Sequence, residues 1–198
     1  MGDMSEREPG MWKVLYWELK NREARLIYLM WMVRSIPGEF GFLLRRRLLS
    51  GHFGSCGQNV MIHPGVKFRN IHKLIVGNDV YIGEDAFIQA GGEVTLGNSV
   101  LIGPGVKIWT QNHEFGDTGP VSTRDYNYAK VDIGDDVWIG ANAFIMPGVS
   151  LQRGTIVSAG SVVGAKVYPA YCVIGGNPAR VVKLRRGESD TQKEGSTA

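Results

Sequence analysis

A seven-residue pattern repeated along the chain limits the possible folds more than any other feature. GNDVYIG at residues 77–83 recurs twenty residues later as GNSVLIG at residues 97–103, in the same phase. Related copies, GQNVMI and GDDVWIG, occupy residues 57–62 and 134–140. Self-similarity at a fixed spacing predicts a stacked architecture, in which each unit buries its apolar face against its neighbours.

A shorter period of six residues lies within these copies. Its aliphatic members are Ile82, Ile88, Leu96, Ile102, Ile108, Ile133, Ile139, Ile145, Leu151, Val157 and Val163. This period predicts a parallel β-helix, in which each hexapeptide is a short strand and a corner, and three sides close a coil of about eighteen residues. Two extra residues per coil, near 71–74 and 93–94, explain the twenty-residue spacing. An ordinary β-sandwich is disfavoured because its strands alternate without keeping this phase.

The repeats resemble those of the hexapeptide-repeat acyltransferases over about residues 56–184. The most specific segments are SAGSVV at 158–163 and GGNPARVV at 175–182, which are similar to the family's closing turn and C-terminal exit. The resemblance implies an all-β core formed by a left-handed parallel β-helix, an exception to the usual right-handed crossover. Within the family, the chain looks most like the sugar O-acetyltransferases of the maltose, galactoside and surface-polysaccharide type.

The remaining segments flank or interrupt the repeats. Residues 1–10 are polar and predicted to be frayed, and the polar tail at 185–198 is predicted to be disordered. Residues 11–50 are predicted to be helical and residues 51–184 to form the β-helix domain. The hexapeptide rhythm stops at residues 111–130, which predicts a protruding loop. An interruption of this length inside a compact repeat indicates a functional role.

The N-terminal segment has helical periodicity. Apolar residues from Trp12 to about Val33 predict one amphipathic helix, and a second is predicted from Glu39 to Ser50, after Pro37 and Gly38. Residues 11–50 contain eight basic and three acidic residues together with several aromatic ones. Two interpretations remain open: contact with a membrane surface, and a cap over the open end of the β-helix.

Composition disfavours several classes of protein. Cys56 and Cys172 lie at opposite ends of the repeats without a CxxC motif, which disfavours a disulfide or a zinc site. A cytoplasmic location is therefore predicted. Peripheral contact with the inner face of the membrane is left open. The formal net charge is +3, and the repeats have no basic stripe interleaved with aromatic residues, so nucleic-acid binding is not expected. A γ-type carbonic anhydrase needs three histidine ligands, but only one histidine follows His72.

His113 is the candidate general base. It lies at the entry to the predicted loop, and an imidazole can take the proton of a hydroxyl as that hydroxyl attacks a thioester. The family's catalytic histidine occupies the same place, so the resemblance implies that His113 is the general base. It also implies direct transfer of the acetyl group in a ternary complex. Asn112 and Glu114 are the candidate acceptor-binding residues. The other histidines, His52, His63 and His72, are expected to be structural or exposed.

The donor site follows from the resemblance alone. It implies acetyl-CoA as co-substrate, no metal, and a homotrimer in which coenzyme A lies between two β-helices. The matching positions are Trp138, Ala141, Ala159, Gly164, Lys166, Arg180 and Lys183. Small residues let the pantetheine arm approach closely, and basic residues suit the nucleotide phosphates. Gly164 and Ala165 stand where many members have Thr-Lys, so Lys166 is expected to replace the lost phosphate ligand.

The acceptor is expected to be a sugar hydroxyl. The Asn and Asp that contact sugar in the maltose and galactoside enzymes fall on Gly83 and Gly91 here, which disfavours the acceptors of those enzymes. A role in surface polysaccharide or lipopolysaccharide biosynthesis is favoured instead. The acceptor sugar is then free, nucleotide-linked or lipid-linked. Acyl-carrier-protein-dependent transferases of lipid A synthesis typically carry a sizeable helical domain after the repeats, which is absent from this sequence. The alternative is a non-catalytic β-helix scaffold docked at a membrane surface.

Overall fold

The computed structural model describes residues 10–114, 118 and 125–185. The predicted frayed terminus, apart from Gly10, and the predicted disordered tail from residue 186 lie outside the described residues, as does most of the middle of the predicted loop. The described chain forms three α-helices followed by a parallel β-helix with two antiparallel hairpins, one that protrudes between coils and one at the C-terminal end of the described chain.

The N-terminal segment contains α1 (Met11–Lys20), α2 (Arg22–Val33) and α3 (Gly38–Leu49), followed by a 3₁₀ helix (Ser50–His52). The prediction of a single helix from Trp12 to Val33 is wrong, because the chain is extended at Asn21 (φ −81°, ψ 126°). The side-chain oxygen of Asn21 accepts hydrogen bonds from the backbone N–H groups of Glu23 (2.8 Å) and Ala24 (3.4 Å). Asparagine is among the best N-cap residues, so its capping bonds start a new helix here.

The coils have three sides, each a sheet of stacked short strands. Side 1 contains β1 (Ser55–Cys56), β4 (Leu74–Val76), β7 (Val94–Leu96), β12 (Val131–Ile133), β15 (Ser150–Leu151) and β18 (Val167–Tyr168). Side 2 contains β2 (Met61–Ile62), β5 (Tyr81–Ile82), β8 (Leu101–Ile102), β13 (Trp138–Ile139), β16 (Ile156–Val157), β19 (Cys172–Gly176) and β20 (Ala179–Leu184). Side 3 contains β3 (Lys67–Arg69), β6 (Phe87–Gln89), β9 (Lys107–Trp109), β14 (Phe144–Ile145) and β17 (Val162–Val163). The protruding hairpin, called the hairpin below, is β10 (Gln111–His113) and β11 (Tyr126–Tyr128).

The predicted six-residue period matches the inward-facing positions. All eleven aliphatic residues of that period are buried in one continuous core. Early coils are longer than later ones, since Ser55 pairs with Ile75, whereas Asp132 pairs with Ser150. In the first coil the extra residues form a 3₁₀ helix (Ile71–Lys73) between side 3 and side 1, where the sequence predicted them. The predicted β-helix is therefore confirmed.

The repeated Gly-Asn-x-Val pattern forms the corner between side 1 and side 2. The Asn78 side-chain oxygen accepts the N–H of Gln58 (2.8 Å), and that of Asn98 accepts the N–H of Asn78 (2.9 Å), so one coil bonds to the next. The preceding glycine is required because a Cβ on Gly77 would lie 2.6 Å from the Gly97 carbonyl oxygen. Stacked corners thus leave no room for a side chain at this position.

The helices cover the N-terminal end of the β-helix. Leu26 of α2 and Leu49 of α3 join the core of the coils. Arg45 of α3, although basic, is only 1% exposed. Its Nε donates to the carbonyl oxygen of Ile62 (2.8 Å), and one guanidinium nitrogen donates to that of Ile36 (2.6 Å). Burial lowers the pKa of Arg45. Its hydrogen bonds connect the helices to the first coil, which agrees with the capping interpretation.

Side 2 presents a row of apolar side chains to solvent, one from each coil. The row, called the apolar row below, is Met61, Tyr81, Leu101, Trp138, Ile156 and Val173, and each member pairs in register with the next. Leu101 and Trp138 are each about half exposed, at 49% and 51%. Contiguous apolar surface of this kind marks an interaction site.

Candidate active site

A buried polar cluster holds the root of the β10–β11 hairpin at the corner between side 3 and side 1. The hydroxyl of Thr110 lies 2.7 Å from the side-chain oxygen of Gln89 and accepts the N–H of Gly92 (2.9 Å). The amide nitrogen of Gln89 donates to the side-chain oxygen of Gln111. Buried polar groups that satisfy one another in this way favour one arrangement, so they fix where the hairpin leaves the coils.

The other end of the interruption is held by an ion-pair cluster. The ammonium group of Lys130 lies 2.8 Å from a carboxylate oxygen of Glu93 and 3.0 Å from one of Asp132. The hydrogen bond to Glu93, followed by that to Asp132, raises the pKa of Lys130. Charges clustered at the return point therefore help to position Val131, which re-enters the stack beside Val94.

His113 lies on the hairpin, facing a tyrosine on the partner strand. It pairs with Tyr126 across the two strands, and their ring centroids are 4.3 Å apart at an interplanar angle of 40°. The imidazole is exposed. A protruding loop was predicted at residues 111–130, and its two ends, β10 and β11, form an antiparallel ribbon.

Side chains alternate between the two faces of this ribbon. His113 shares one face with Gln111, Tyr126 and Tyr128, which pair in register as His113 with Tyr126 and Gln111 with Tyr128. Asn112, paired with Asn127, alternates to the opposite face. Glu114 follows β10 and donates its backbone N–H to the carbonyl oxygen of Asp125 (3.1 Å). The structure thus places two tyrosines, and not the predicted Asn112 and Glu114, on the face of the candidate base.

Tyr128 occupies the space next to Gly91. Position 91 is one of the two at which the maltose and galactoside enzymes were expected to carry a sugar-contacting polar residue. A Cβ on Gly91 would lie 2.8 Å from a ring carbon of Tyr128. The ring centroids of Tyr126 and Tyr128 are 6.2 Å apart, and about half of each side chain is exposed. The pair was missed from sequence, although the alternation Tyr-Asn-Tyr is typical of a strand.

The other histidines have structural surroundings, as expected. His63 lies between the rings of Phe42 and Tyr81, with centroids 4.7 and 4.3 Å away, and burial lowers its pKa. His72 lies 3.4 Å from a carboxylate oxygen of Glu23. His52 faces α2 in a shallow pocket.

The predicted donor-binding residues fall into three groups around the β-helix. Ala141 and Ala159 stack on each other at the corner between side 2 and side 3, where the N–H of Gly160 donates to the Ala141 carbonyl oxygen (2.8 Å). Trp138, Arg180 and Lys183 belong to side 2 and are exposed. Gly164 and Lys166 lie at the corner between side 3 and side 1, along which the hairpin also leaves. One chain therefore does not bring His113 together with Ala141 and Ala159.

Within residues 10–114, 118 and 125–185, no group of three His, Cys, Asp or Glu side chains is arranged to hold a metal ion. Among the helices described, none is both long and apolar enough to cross a bilayer.

Comparison with known proteins agrees with this architecture. Residues 130–165 match the family model described as bacterial transferase hexapeptide (six repeats). WcaF of Escherichia coli (strain K12), named provisionally as a colanic acid biosynthesis acetyltransferase, is 33% identical over 141 residues, covering 71% of this chain and 75% of WcaF. A galactoside acetyltransferase in complex with coenzyme A superposes with a TM-score of 0.76 at 27% identity, covering 93% of this chain and 88% of the other. The Vibrio cholerae acetyltransferase VCA0836, complexed with acetyl coenzyme A, gives 0.73 at 25% identity, covering 83% and 87%.

The chain belongs to the hexapeptide-repeat acyltransferases, and it is an acetyltransferase. The left-handed β-helix that the family resemblance implied is the fold of its structural neighbours.

Proposed function

We propose that the protein transfers the acetyl group of acetyl-CoA to a sugar hydroxyl, with His113 as the general base. The observation that carries this proposal is the position of His113 on a hairpin anchored between stacked coils. In the proposed reaction the imidazole takes the hydroxyl proton, the hydroxyl oxygen attacks the thioester carbonyl carbon, and the C–S bond breaks. The imidazolium then returns the proton to the departing thiolate.

The two tyrosines on the face of His113 support a sugar acceptor. Aromatic faces bind the apolar C–H surfaces of a ring by contact, and a phenol hydroxyl adds a hydrogen-bonding group. Tyr126 also packs against the imidazole and so restricts its orientation. A sugar ring placed against Tyr126 and Tyr128 would present its hydroxyls to His113. In this proposal the two tyrosines hold the sugar, and no polar side chain at position 91 is needed.

The site is proposed to lie between subunits of a homotrimer. His113 and the Ala141–Ala159 corner belong to different edges of one β-helix, so a second copy has to bring them together. The apolar row on side 2 supports such an assembly, because its six members carry no charge and are arranged for burial. The pantetheine arm would then follow the small residues Ala141 and Ala159 of one copy toward His113 of the next.

Calorimetric titration with acetyl-CoA and with CoA tests the donor. We expect saturable binding of about one molecule per subunit. Ala159→Glu should weaken it roughly tenfold or more, about 1.4 kcal/mol, because the new carboxylate would meet the pantetheine arm. Ala170→Glu is the matched control, since Ala170 is also exposed but lies at the corner between side 1 and side 2. Absence of binding by the assembled wild type would contradict the proposal and favour the scaffold alternative.

The tyrosine pair makes a separate prediction about the acceptor. Tyr128→Ala should raise the KM for the best sugar in a panel of nucleotide sugars and galactosides roughly fivefold, because loss of a ring contact costs about 1 kcal/mol. The KM for acetyl-CoA should not change, and Tyr128→Phe should keep most of the acceptor affinity. Tyr171→Ala, at an exposed tyrosine on another corner, provides the control. Equal effects on both substrates would argue against acceptor binding by Tyr128.

The likeness to WcaF supports surface polysaccharide biosynthesis as the biological setting. The acceptor would then be a nucleotide-linked or lipid-linked sugar at the inner face of the cytoplasmic membrane.

A further inference from the structure

Helix α1 differs from the other two α-helices because none of its residues is buried. It packs on α2 through the side that carries the partly buried Val14 and Leu15. On the same side, Glu18 accepts a hydrogen bond from the hydroxyl of Tyr28 in α2. The opposite side of α1 therefore faces away from the described protein.

That opposite side is both aromatic and basic. It consists of Trp12, Lys13, Tyr16, Trp17, Leu19 and Lys20, which the helical period places on one half of the helix, and it is called the α1 outer face below. Trp12 is 75% exposed and Tyr16 is 56% exposed. The Lys13 ammonium lies 5.0 Å from the centroid of the Trp17 ring, and that of Lys20 lies 4.4 Å from the centroid of the Tyr16 ring.

The charge on this face is one-sided. Glu18 is the single acidic residue of α1, and it lies toward α2. The α1 outer face thus combines two positive charges with four large apolar side chains. Neighbouring α2 adds exposed apolar side chains at Ile27, Trp31 and Met32. Arg45 contributes no surface charge because it is buried.

The α1 outer face and the apolar row suit different partners. The apolar row contains no lysine, as expected of a surface buried between protein copies, where lysine is depleted. Tryptophan, tyrosine and lysine together are typical of helices that lie at a bilayer surface, with rings at the headgroup level and ammonium groups near lipid phosphates. We infer that the α1 outer face docks the protein onto an anionic lipid bilayer.

This docking goes beyond the proposed transfer reaction and does not depend on it. The full chain should sediment with large unilamellar vesicles of phosphatidylglycerol and phosphatidylethanolamine at low salt, but only weakly with pure phosphatidylcholine vesicles. Lys13→Gln combined with Lys20→Gln should weaken binding about 25-fold, because each lysine near an anionic surface contributes about fivefold. Lys107→Gln combined with Arg153→Gln removes the same charge from exposed positions on the coils and should have little effect.

Trp12→Ala should also weaken vesicle binding while leaving the sedimentation coefficient of the free protein unchanged. If Trp12→Ala instead altered the oligomeric state, the α1 outer face would be a contact between copies and the inference would be overturned. Failure of the wild type to bind anionic vesicles, or equal loss in both charge variants, would overturn it as well. Acetyl-CoA binding, measured by calorimetry on the same preparations, reports separately on the transfer reaction.

Discussion

Replacement of His113 by alanine is expected to lower kcat roughly a thousandfold, because general-base catalysis by a positioned side chain contributes about that much. Binding of acetyl-CoA should persist, since the imidazole takes part in proton transfer and not in holding the donor. Steady-state kinetics with the best sugar acceptor, together with calorimetry of acetyl-CoA binding, would measure both quantities on one preparation.

His113→Gln separates proton transfer from positioning. Glutamine can fill the same space and form hydrogen bonds, but it cannot accept the proton at neutral pH, so its kcat should be as low as that of His113→Ala. His72→Ala is the control, because His72 is exposed beside Glu23 on the 3₁₀ helix of the first coil and is not part of the hairpin. Normal turnover in either His113 variant would rule out the proposed base.

A glutamate at Leu101 is expected to dissociate the proposed homotrimer and abolish activity. Leu101 lies in the middle of the apolar row and pairs with Tyr81 and Trp138. Burying a carboxylate between copies costs several kcal/mol, so association should weaken about a hundredfold or more. Analytical ultracentrifugation would detect smaller species, and transfer activity should fall with them because one copy alone does not complete the proposed site.

Ile75→Glu provides a matched control for this prediction. Ile75 also points outward from a coil, but it belongs to side 1 and is 38% exposed. The variant should keep both the oligomeric state and the activity of the wild type. A Leu101→Glu protein that remained fully assembled would show that the apolar row is not the contact between copies.

The β-helix was predictable because its signals are local and repeated. Inward positions such as Ile102 and Ile139 recur every six residues, and each of the corners formed by the seven-residue pattern carries a glycine followed by Asn, Asp or Gln. Because every coil packs in the same way, the repeat can be recognised even where one copy departs from the pattern. The break between α1 and α2 was missed because Asn21 lies inside a continuous helical period of apolar residues, and its capping bonds outweigh that period.

The candidate site was predictable only in part. His113 could be proposed because it lies where the six-residue period of the coils stops. The tyrosines could not, since residues distant in sequence had to be paired across a hairpin before Tyr126 was seen to face His113. The separation of the predicted donor residues among two corners and side 2 could not be predicted either. Motif matching identifies positions along the chain, and not the side or corner of the β-helix that each position occupies.

The pairing of Val131 with Val94 has a consequence for the evolution of specificity. Val94 pairs with Val131 in the same register as Leu74 pairs with Val94, although far more sequence separates the first pair. The coils therefore stack in the same register whether or not the hairpin is inserted between them. Lengthening an inserted segment of this kind costs little in loop-closure entropy. If the proposed function holds, chains of this design can exchange the hairpin that contacts the acceptor while the coils that bind the donor keep their spacing. One β-helix could in this way serve different acceptors.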